Sequence, residues 1–200
     1  LTLGTVSIEG RVAPRRAEIG NLQPEYAGGQ VARGGKLGLL GNRDMMDTPF
    51  NQTSFTSKVI EDQQARTVRD VVANDPAVRA TWPGGGYTDP LVIRGFEASN
   101  QDVAFGGLYG IAPTFNVGMG LAERVEVLKG PSAMLGGMQP LGSVGGTINI
   151  TPKRAGPEPI TKATATYAGK TQFGALADVG RRFGQDNEFG VRLNASLEDG

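Results

Sequence analysis

The most constraining feature is a change of hydrophobic period near the C-terminal end. After Pro152, Ala163, Ala165 and Tyr167 interleave with Lys162, Thr164 and Thr166. Phe173, Ala175, Ala177 and Val179 repeat the pattern, and Phe189, Val191, Leu193, Ala195 and Leu197 stand against Arg192, Asn194 and Ser196. Successive side chains of a strand point to opposite faces, so period two marks three strands with one apolar face each. Each segment is about 7–10 residues long, close to the length of a strand crossing a bilayer at a tilt. A short polar turn, Arg181 to Glu188, separates the last two. A soluble sheet with one wet face has the same period, and the small Ala163, Ala165, Ala175 and Ala177 make a weak lipid-facing stripe. Alternation alone leaves both readings open. No run of 18 apolar residues exists, which excludes a transmembrane helix but not strands.

Upstream of Pro152 no single period persists. Lys58 to Ala65 reads as a short helix. Thr67-Val68-Arg69-Asp70 has the form of a capping box, after which Val68, Val71 and Val72 share a helical face. Pro76 disfavours helix at Asp75, so that helix should stop near Asn74. Leu91-Val92-Ile93-Arg94, Val103-Ala104-Phe105, Glu123 to Leu128 and Thr147 to Thr151 read as four short strands. Together these make a mixed α+β domain over roughly Thr48 to Thr151. Before it, Glu9 to Gly41 carries Pro14, Pro24, Gly28-Gly29 and Gly34-Gly35 without a period and reads as linker. Order is expected from about Asp47. Gly35-Lys36 is not a phosphate-binding loop, because Gln30 and Leu37 stand where that motif needs Gly and Ser or Thr. Leu1 to Ile8 is a short extended run. The chain opens on Leu1 rather than Met and closes on Glu198-Asp199-Gly200 straight after a strand-like run, so both ends read as cut.

Composition removes several chemistries. With no Cys and no His, disulfides, thiolate metal sites, the usual zinc ligands and any His-based triad are without their parts. No convergent acid pair is visible, and catalysis is not expected. Twenty basic residues balance twenty acidic ones, which argues against a nucleic-acid partner. Gly is 31 of 200 residues and aperiodic, the mark of a folded chain with many tight turns.

Three motifs are more specific. Leu91-Val92-Ile93-Arg94-Gly95-Phe96 resembles the IRGF strand of TonB-dependent receptor plugs. Leu121 to Ala133, containing Glu123-Arg124-Val125-Glu126-Val127-Leu128-Lys129-Gly130-Pro131, is similar to their ERVEVLKGPSA segment. Gly145-Gly146-Thr147-Ile148-Asn149-Ile150-Thr151-Pro152-Lys153 resembles the strand that ends the plug, with Pro152 intruding before Lys153. The stretch Leu37 to Phe50 is similar to the siderophore-receptor branch. The resemblance implies an α+β plug domain followed by the start of an antiparallel transmembrane β-barrel: residues 1–41 a periplasmic segment and linker, 42–156 the plug, 157–200 the first barrel strands. It implies uptake of a ferric siderophore across the outer membrane, with the TonB protein, the siderophore and outer-membrane lipid as partners. No cofactor is implied, since iron arrives chelated in the ligand. The same machine carrying haem, cobalamin or an oligosaccharide, and a secreted or surface β-rich binding module, are the rival readings.

The resemblance also assigns residues. Thr5-Val6-Ser7-Ile8 looks like a TonB box, an unpaired extended segment able to add as a strand to a partner's sheet. Arg94 and Lys129 occupy the positions whose basic side chains face carboxylates on the inner barrel wall. Lys129, where many relatives carry Arg, cannot make the same bidentate fork. Trp82, Tyr87, Tyr109 and Phe115 sit in Gly-rich loops and suit an aromatic-lined ligand pocket, with Asn100 and Gln101 as candidate hydrogen-bond donors.

Overall fold

The computed structural model of the chain describes residues 21–169 and 171–199. Among the described residues twelve strands and three short α-helices follow one another, with four 3-10 turns between them: β1 (Gly34–Lys36), β2 (Asn42–Asp44), β3 (Asn51–Thr56), α1 (Ser57–Asp62), α2 (Val68–Val72), β4 (Val78–Ala80), β5 (Leu91–Ile93), β6 (Phe96–Ala98), β7 (Ala104–Phe105), β8 (Ala122–Lys129), α3 (Ala133–Gly136), β9 (Gly146–Pro152), β10 (Ile160–Ala168), β11 (Gln172–Phe183) and β12 (Phe189–Asp199). Four sheets result: β1-β2, β4-β5-β6, the central mixed sheet β3-β8-β9-β7, and the antiparallel β10-β11-β12. No helix among the described residues is long and apolar enough to cross a membrane.

The central sheet is two-faced, and this organises the domain. Val125 and Val127 of β8, Ile148 and Ile150 of β9 and Phe55 of β3 point one way, into a core closed by Val59 and Ile60 of α1, Val71 and Val72 of α2, and Leu91 and Ile93 of β5. Each buried Val, Ile or Phe contributes about 1.5–3 kcal/mol. On the opposite face β8 presents Arg124 and Glu126, and β9 presents Thr147 and Asn149, with Glu126 directly opposite Asn149. That polar face is buried too, under β1 and the turn after β7. Its polar groups therefore need internal partners.

Helix α2 starts as its sequence requires: Asp70 Oδ2 accepts from the backbone N–H groups of Arg66 and Thr67. Ala73 caps it, just before the expected stop. Helix α1 ends at Asp62, earlier than expected. The strand read through Arg94 ends at Ile93 instead. Arg94 and Gly95 form the two-residue turn of the β5-β6 hairpin, with φ of 51° and 91°. Positive φ at both central positions is the type I′ arrangement, which Asn-Gly fills more easily than Arg-Gly.

The linker expectation is corrected from residue 21 onward. Ala32 and Leu37 are wholly buried. The Ala32 N–H donates to the Ser54 carbonyl at 2.8 Å, Thr56 N–H donates to Gln30, and Thr56 Oγ1 donates to Gly29. Residues 29–32 thus run along β3 and pair with its free backbone edge. Thr5, Val6, Ser7 and Ile8 lie outside the described residues.

In the three-stranded sheet the even positions face the α+β domain and the odd ones face away. Tyr167, Phe173, Val179, Phe183, Phe189, Val191, Leu193 and Leu197 are all exposed on the outer face. The register places Tyr167 opposite Phe173 and Phe183 opposite Phe189, so one aromatic pair sits at each end of β11. At the first end the rings are 5.0 Å apart.

Candidate ligand site and wall contacts

Two Gly-rich loops, residues 81–90 and 106–118, are tied together by one side chain that sequence reading missed. Asn116 donates through Nδ2 to the Gly86 carbonyl at 3.0 Å, accepts at Oδ1 from Asn100 Nδ2 at 2.9 Å, and its backbone N–H donates to the Tyr87 carbonyl at 2.9 Å. The clamp brings Tyr87 against Phe115 edge to face, with centroids 6.4 Å apart. Tyr87 is 85% and Phe115 63% exposed, and Trp82 on the same loop as Tyr87 is 70% exposed. Large aromatics held this open by an ordered clamp form a surface a ligand can cover.

The other candidates divide. Asn100 lies beside this pair, but its amide is used within the clamp: Nδ2 on Asn116 and Oδ1 on the Asp89 N–H at 3.2 Å. It positions the loops with one Nδ2 hydrogen and Oδ1, and the second Nδ2 hydrogen has no partner among the described residues. Gln101 is exposed on the adjoining turn, with its backbone N–H on Ser99 Oγ. Tyr109 stands apart. Its hydroxyl meets Thr147 Oγ1 at 2.9 Å, and Thr147 also contacts Ser132 Oγ at 2.6 Å and receives Gln139 Nε2 at 2.7 Å. Tyr109 anchors the root of its loop to β9, apart from the Tyr87–Phe115 pair.

The placement of Lys129 is corrected. Its Nζ lies 2.7 Å from Asp75 Oδ2 and donates to Thr53 Oγ1 at 3.1 Å, inside the α+β domain. The side chains are 9% and 1% exposed, so this is a buried pair. The second carboxylate oxygen of Asp75 accepts the Ala77 N–H. Arg94, in contrast, is exposed, and its guanidinium reaches toward Gly130, the residue after Lys129. None of the ion pairs among the described residues involves it.

Contacts to the three-stranded sheet are made by other residues. Asp178 of β11 is held by Arg192 of β12 through two bonds of 2.8 and 2.7 Å, and Lys153 approaches it at 3.4 Å. Arg192 reaches Glu123 at 3.9 Å. Glu61 pairs with Lys162 at 2.6 Å and Arg66 with Glu198 at 3.5 Å. Four ion pairs therefore cross between the domain and the sheet, around a cleft of about 400 Å³ lined by Met119, Leu121, Lys153 and Asp178. The even-numbered charges of the alternating segments were the signal for this face.

The polar face of the central sheet holds two more charged groups, Arg124 and Glu126. Glu126 accepts Asn149 Nδ2 at 2.7 Å and the Lys36 N–H at 3.2 Å. Burial pushes its carboxyl above the ordinary range, against the pull of those two donors. Burial likewise pulls the Arg124 guanidinium down.

The comparisons with known proteins agree with this architecture. The profile of the TonB-dependent receptor plug domain matches residues 44–144, half of the chain. The ferrichrome receptor FcuA of Yersinia enterocolitica is 44% identical over all 200 residues, which cover 26% of that protein. The crystal structure of BauA, the ferric preacinetobactin receptor from Acinetobacter baumannii, superimposes with a TM-score of 0.83 at 47% identity, over 88% of this chain and 26% of that one. The vitamin B12 transporter BtuB of Vibrio vulnificus is 34% identical over 110 residues, 49% of this chain and 17% of that protein. The chain thus spans about a quarter of the length of FcuA and BauA. A central sheet bearing the three motifs, an α+β domain seated by ion pairs on antiparallel strands, and the matching profile place the chain in the TonB-dependent receptor family.

Proposed function

We propose that this chain belongs to a receptor that imports a ferric siderophore across the outer membrane, with residues 42–156 as the plug inside a barrel that begins with β10. The observation that carries the reading is the two-sidedness of the β10-β11-β12 sheet: charged residues clamp the plug on one face, and apolar side chains stand uncovered on the other. Phe173 and Phe183 are ten residues apart on β11. At about 3.3 Å per residue and a tilt near 40° that spacing is about 25 Å of membrane normal, the height of an outer-membrane apolar band. Lipid solvates such a face, and the closed barrel leaves no free edge. The N-terminal segment then lies in the periplasm, where Thr5 to Ile8 can add as a strand to the TonB protein. Energy for release comes mechanically from there. The iron is cargo, held by the siderophore and needing no resident cofactor.

The siderophore cargo is supported by the FcuA and BauA likenesses over most of the chain, and by the exposed Tyr87, Phe115 and Trp82 above the Asn116 clamp. The BtuB likeness keeps a cobalamin cargo as the second reading. Growth of a receptor-deletion strain under iron limitation, complemented by the full receptor and fed one siderophore at a time, tests this. Growth restored by a hydroxamate or catecholate supports the proposal. Growth restored by none, with cobalamin uptake instead, overturns it.

Arg94 keeps its proposed place at the plug–barrel latch. A strained turn residue persists where the surroundings favour it, and its exposed guanidinium lies over the Lys129-Gly130 corner at the plug surface, in no ion pair among the described residues. Arg94→Asn should therefore lower the denaturant midpoint of the plug in the full receptor, although Asn fits the turn better. A higher midpoint, equivalent to about 1 kcal/mol of relieved strain, would show that Arg94 does nothing beyond the turn.

Asp178→Ala tests the observed clamp. It leaves Arg192 and Lys153, each about a tenth exposed, without their carboxylate. The adjoining cleft is wide enough for water, so the expected loss in plug seating is about 1–3 kcal/mol rather than the full cost of a dry pair. Leak of a large antibiotic through the receptor should rise. A leak and plug midpoint equal to wild type would mean that the Asp178 cluster does not seat the plug.

A further inference from the structure

The polar face of the central sheet contains a closed ring of hydrogen bonds joining four distant chain segments. The Lys36 N–H donates to Glu126 Oε1 at 3.2 Å. Asn149 Nδ2 donates to Glu126 Oε2 at 2.7 Å, and Asn149 Oδ1 accepts the Gly107 N–H at 2.8 Å. Lys36 Nζ donates to the Gly106 carbonyl at 2.7 Å, which closes the ring. The Asn149 amide has one workable orientation, because a flip would aim its NH₂ at the Gly107 N–H and its oxygen at the carboxylate. Gly107 has φ of 87°, and any side chain there would collide with the Lys36 ammonium and its stem. The lysine therefore lies directly on the turn that roots the 106–118 loop.

Two further facts give the ring a direction. Lys36 ends β1, a strand of three residues whose neighbour β2 is equally short. Such a pair holds little stability of its own, since two strands alone are marginal. The 106–118 loop carries Phe115 and Asn116 at its far end, and its root is held by the ring, by the Tyr109–Thr147 contact and by the Gly106 N–H on the Ile150 carbonyl at 2.8 Å. Seating of β1 thus completes the root of the loop, and loss of β1 removes both Lys36 bonds together.

We infer that Lys36 is a positioning residue that makes the conformation of the 106–118 loop depend on the docking of β1, through the ring Lys36–Glu126–Asn149–Gly107. The inference rests on the reading of that loop as part of the ligand surface, but its test needs no ligand. Movement of β1, the first strand after the N-terminal segment, releases the Gly106-Gly107 turn. By linkage, a ligand that orders the loop favours docked β1 to the same extent. The coupling runs through hydrogen bonds that exist in one seating of β1 and not in the other, which is the two-state element such a claim requires.

Amide hydrogen exchange of the full receptor in detergent is the test, with three variants. Lys36→Met keeps the stem and removes the donor. It should speed exchange at Gly106, Gly107 and Leu108 about ten-fold, the factor one charge-assisted hydrogen bond supplies. Lys36→Arg restores a donor and should return most of that protection. Gly34→Val touches no part of the loop, but its side chain would strike the Arg43 backbone and push β1 off β2. It should speed exchange both at Asn42 to Asp44 and at Gly106 to Leu108. Protection at 106–108 that survives Gly34→Val while β2 opens overturns the inference. So does equal loss across β3, β8 and β9, which would be plain unfolding. Neither result bears on cargo, and failure of the siderophore growth test leaves the exchange result standing.

Discussion

Lys129→Met is expected to destabilise the plug by about 3–5 kcal/mol, the cost of leaving a buried charge without its partner. The charge is that of Asp75, 2% exposed, with Lys129 Nζ on one carboxylate oxygen and the Ala77 N–H on the other. Methionine matches the lysine stem in length and fits the same slot, so the loss is electrostatic rather than a packing defect. Thr53 Oγ1 loses a donor at the same time. The measurement is the denaturant midpoint of the plug transition in the full receptor. The double variant Lys129→Met with Asp75→Asn removes the orphaned charge and keeps an acceptor for Ala77. It should recover most of the stability, because truncating one partner costs more than removing both. A single variant within about 1 kcal/mol of wild type would mean that water reaches Asp75 and that the pair is worth no more than a surface bridge. The pair joins the end of β8 to the loop after α2. Its loss should therefore also free the Lys129-Gly130 corner beside Arg94.

The outcome at Lys129 shows where sequence reading stops. Its motif, Val127-Leu128-Lys129-Gly130-Pro131, was legible, and so was the alternation that makes β8 a strand with Val125 and Val127 inward. The partner was not. Asp75 sits between Asn74 and Pro76, a context that reads as a helix stop, and nothing local says that it turns inward. The three C-terminal strands were legible because one long, regular rule governs them, and their odd positions do face away from the plug. The expected linker failed for the opposite reason. Residues 21–41 are held by backbone bonds to β3 and by Ala32 and Leu37, both with no exposed surface. Strands of three residues containing Gly34 and Gly35 carry no period to read. The strand Asn51–Thr56 shows little apolar alternation, because only Phe55 faces the core while Thr56 is buried with its hydroxyl on the Gly29 carbonyl. In the Gly-rich loops, Tyr87 and Phe115 stand exposed and edge to face, as residue type and loop context allow. Tyr109 has the same type and context, yet its hydroxyl is taken by Thr147. Only the tertiary partner separates them, as it separates the clamping Asn116 from any other loop asparagine.

Val6→Pro in the full receptor is expected to abolish most energised uptake while leaving surface binding of the ligand unchanged. Thr5 to Ile8 lie outside the described residues, so the expectation comes from the chemistry of strand addition. An added strand binds through main-chain N–H and C=O groups, with side chains tuning the fit. Proline has no N–H and fixes φ near −65° (well short of an extended antiparallel strand), so one ladder bond is lost and the run is bent. Val6→Ala keeps the backbone donor and lowers only the β preference, a matter of about 1 kcal/mol or less. Alanine should therefore be mild and proline severe. If side chains alone were read, the two substitutions would be about equally harmful. The ligand loops begin more than 70 residues later in the chain, so a change at position 6 has no direct route to the binding surface. Binding to de-energised cells and uptake by energised cells separate the two effects. Wild-type uptake by Val6→Pro would remove Thr5 to Ile8 from the role of TonB box and leave the plug, its wall contacts and the ligand surface as they stand.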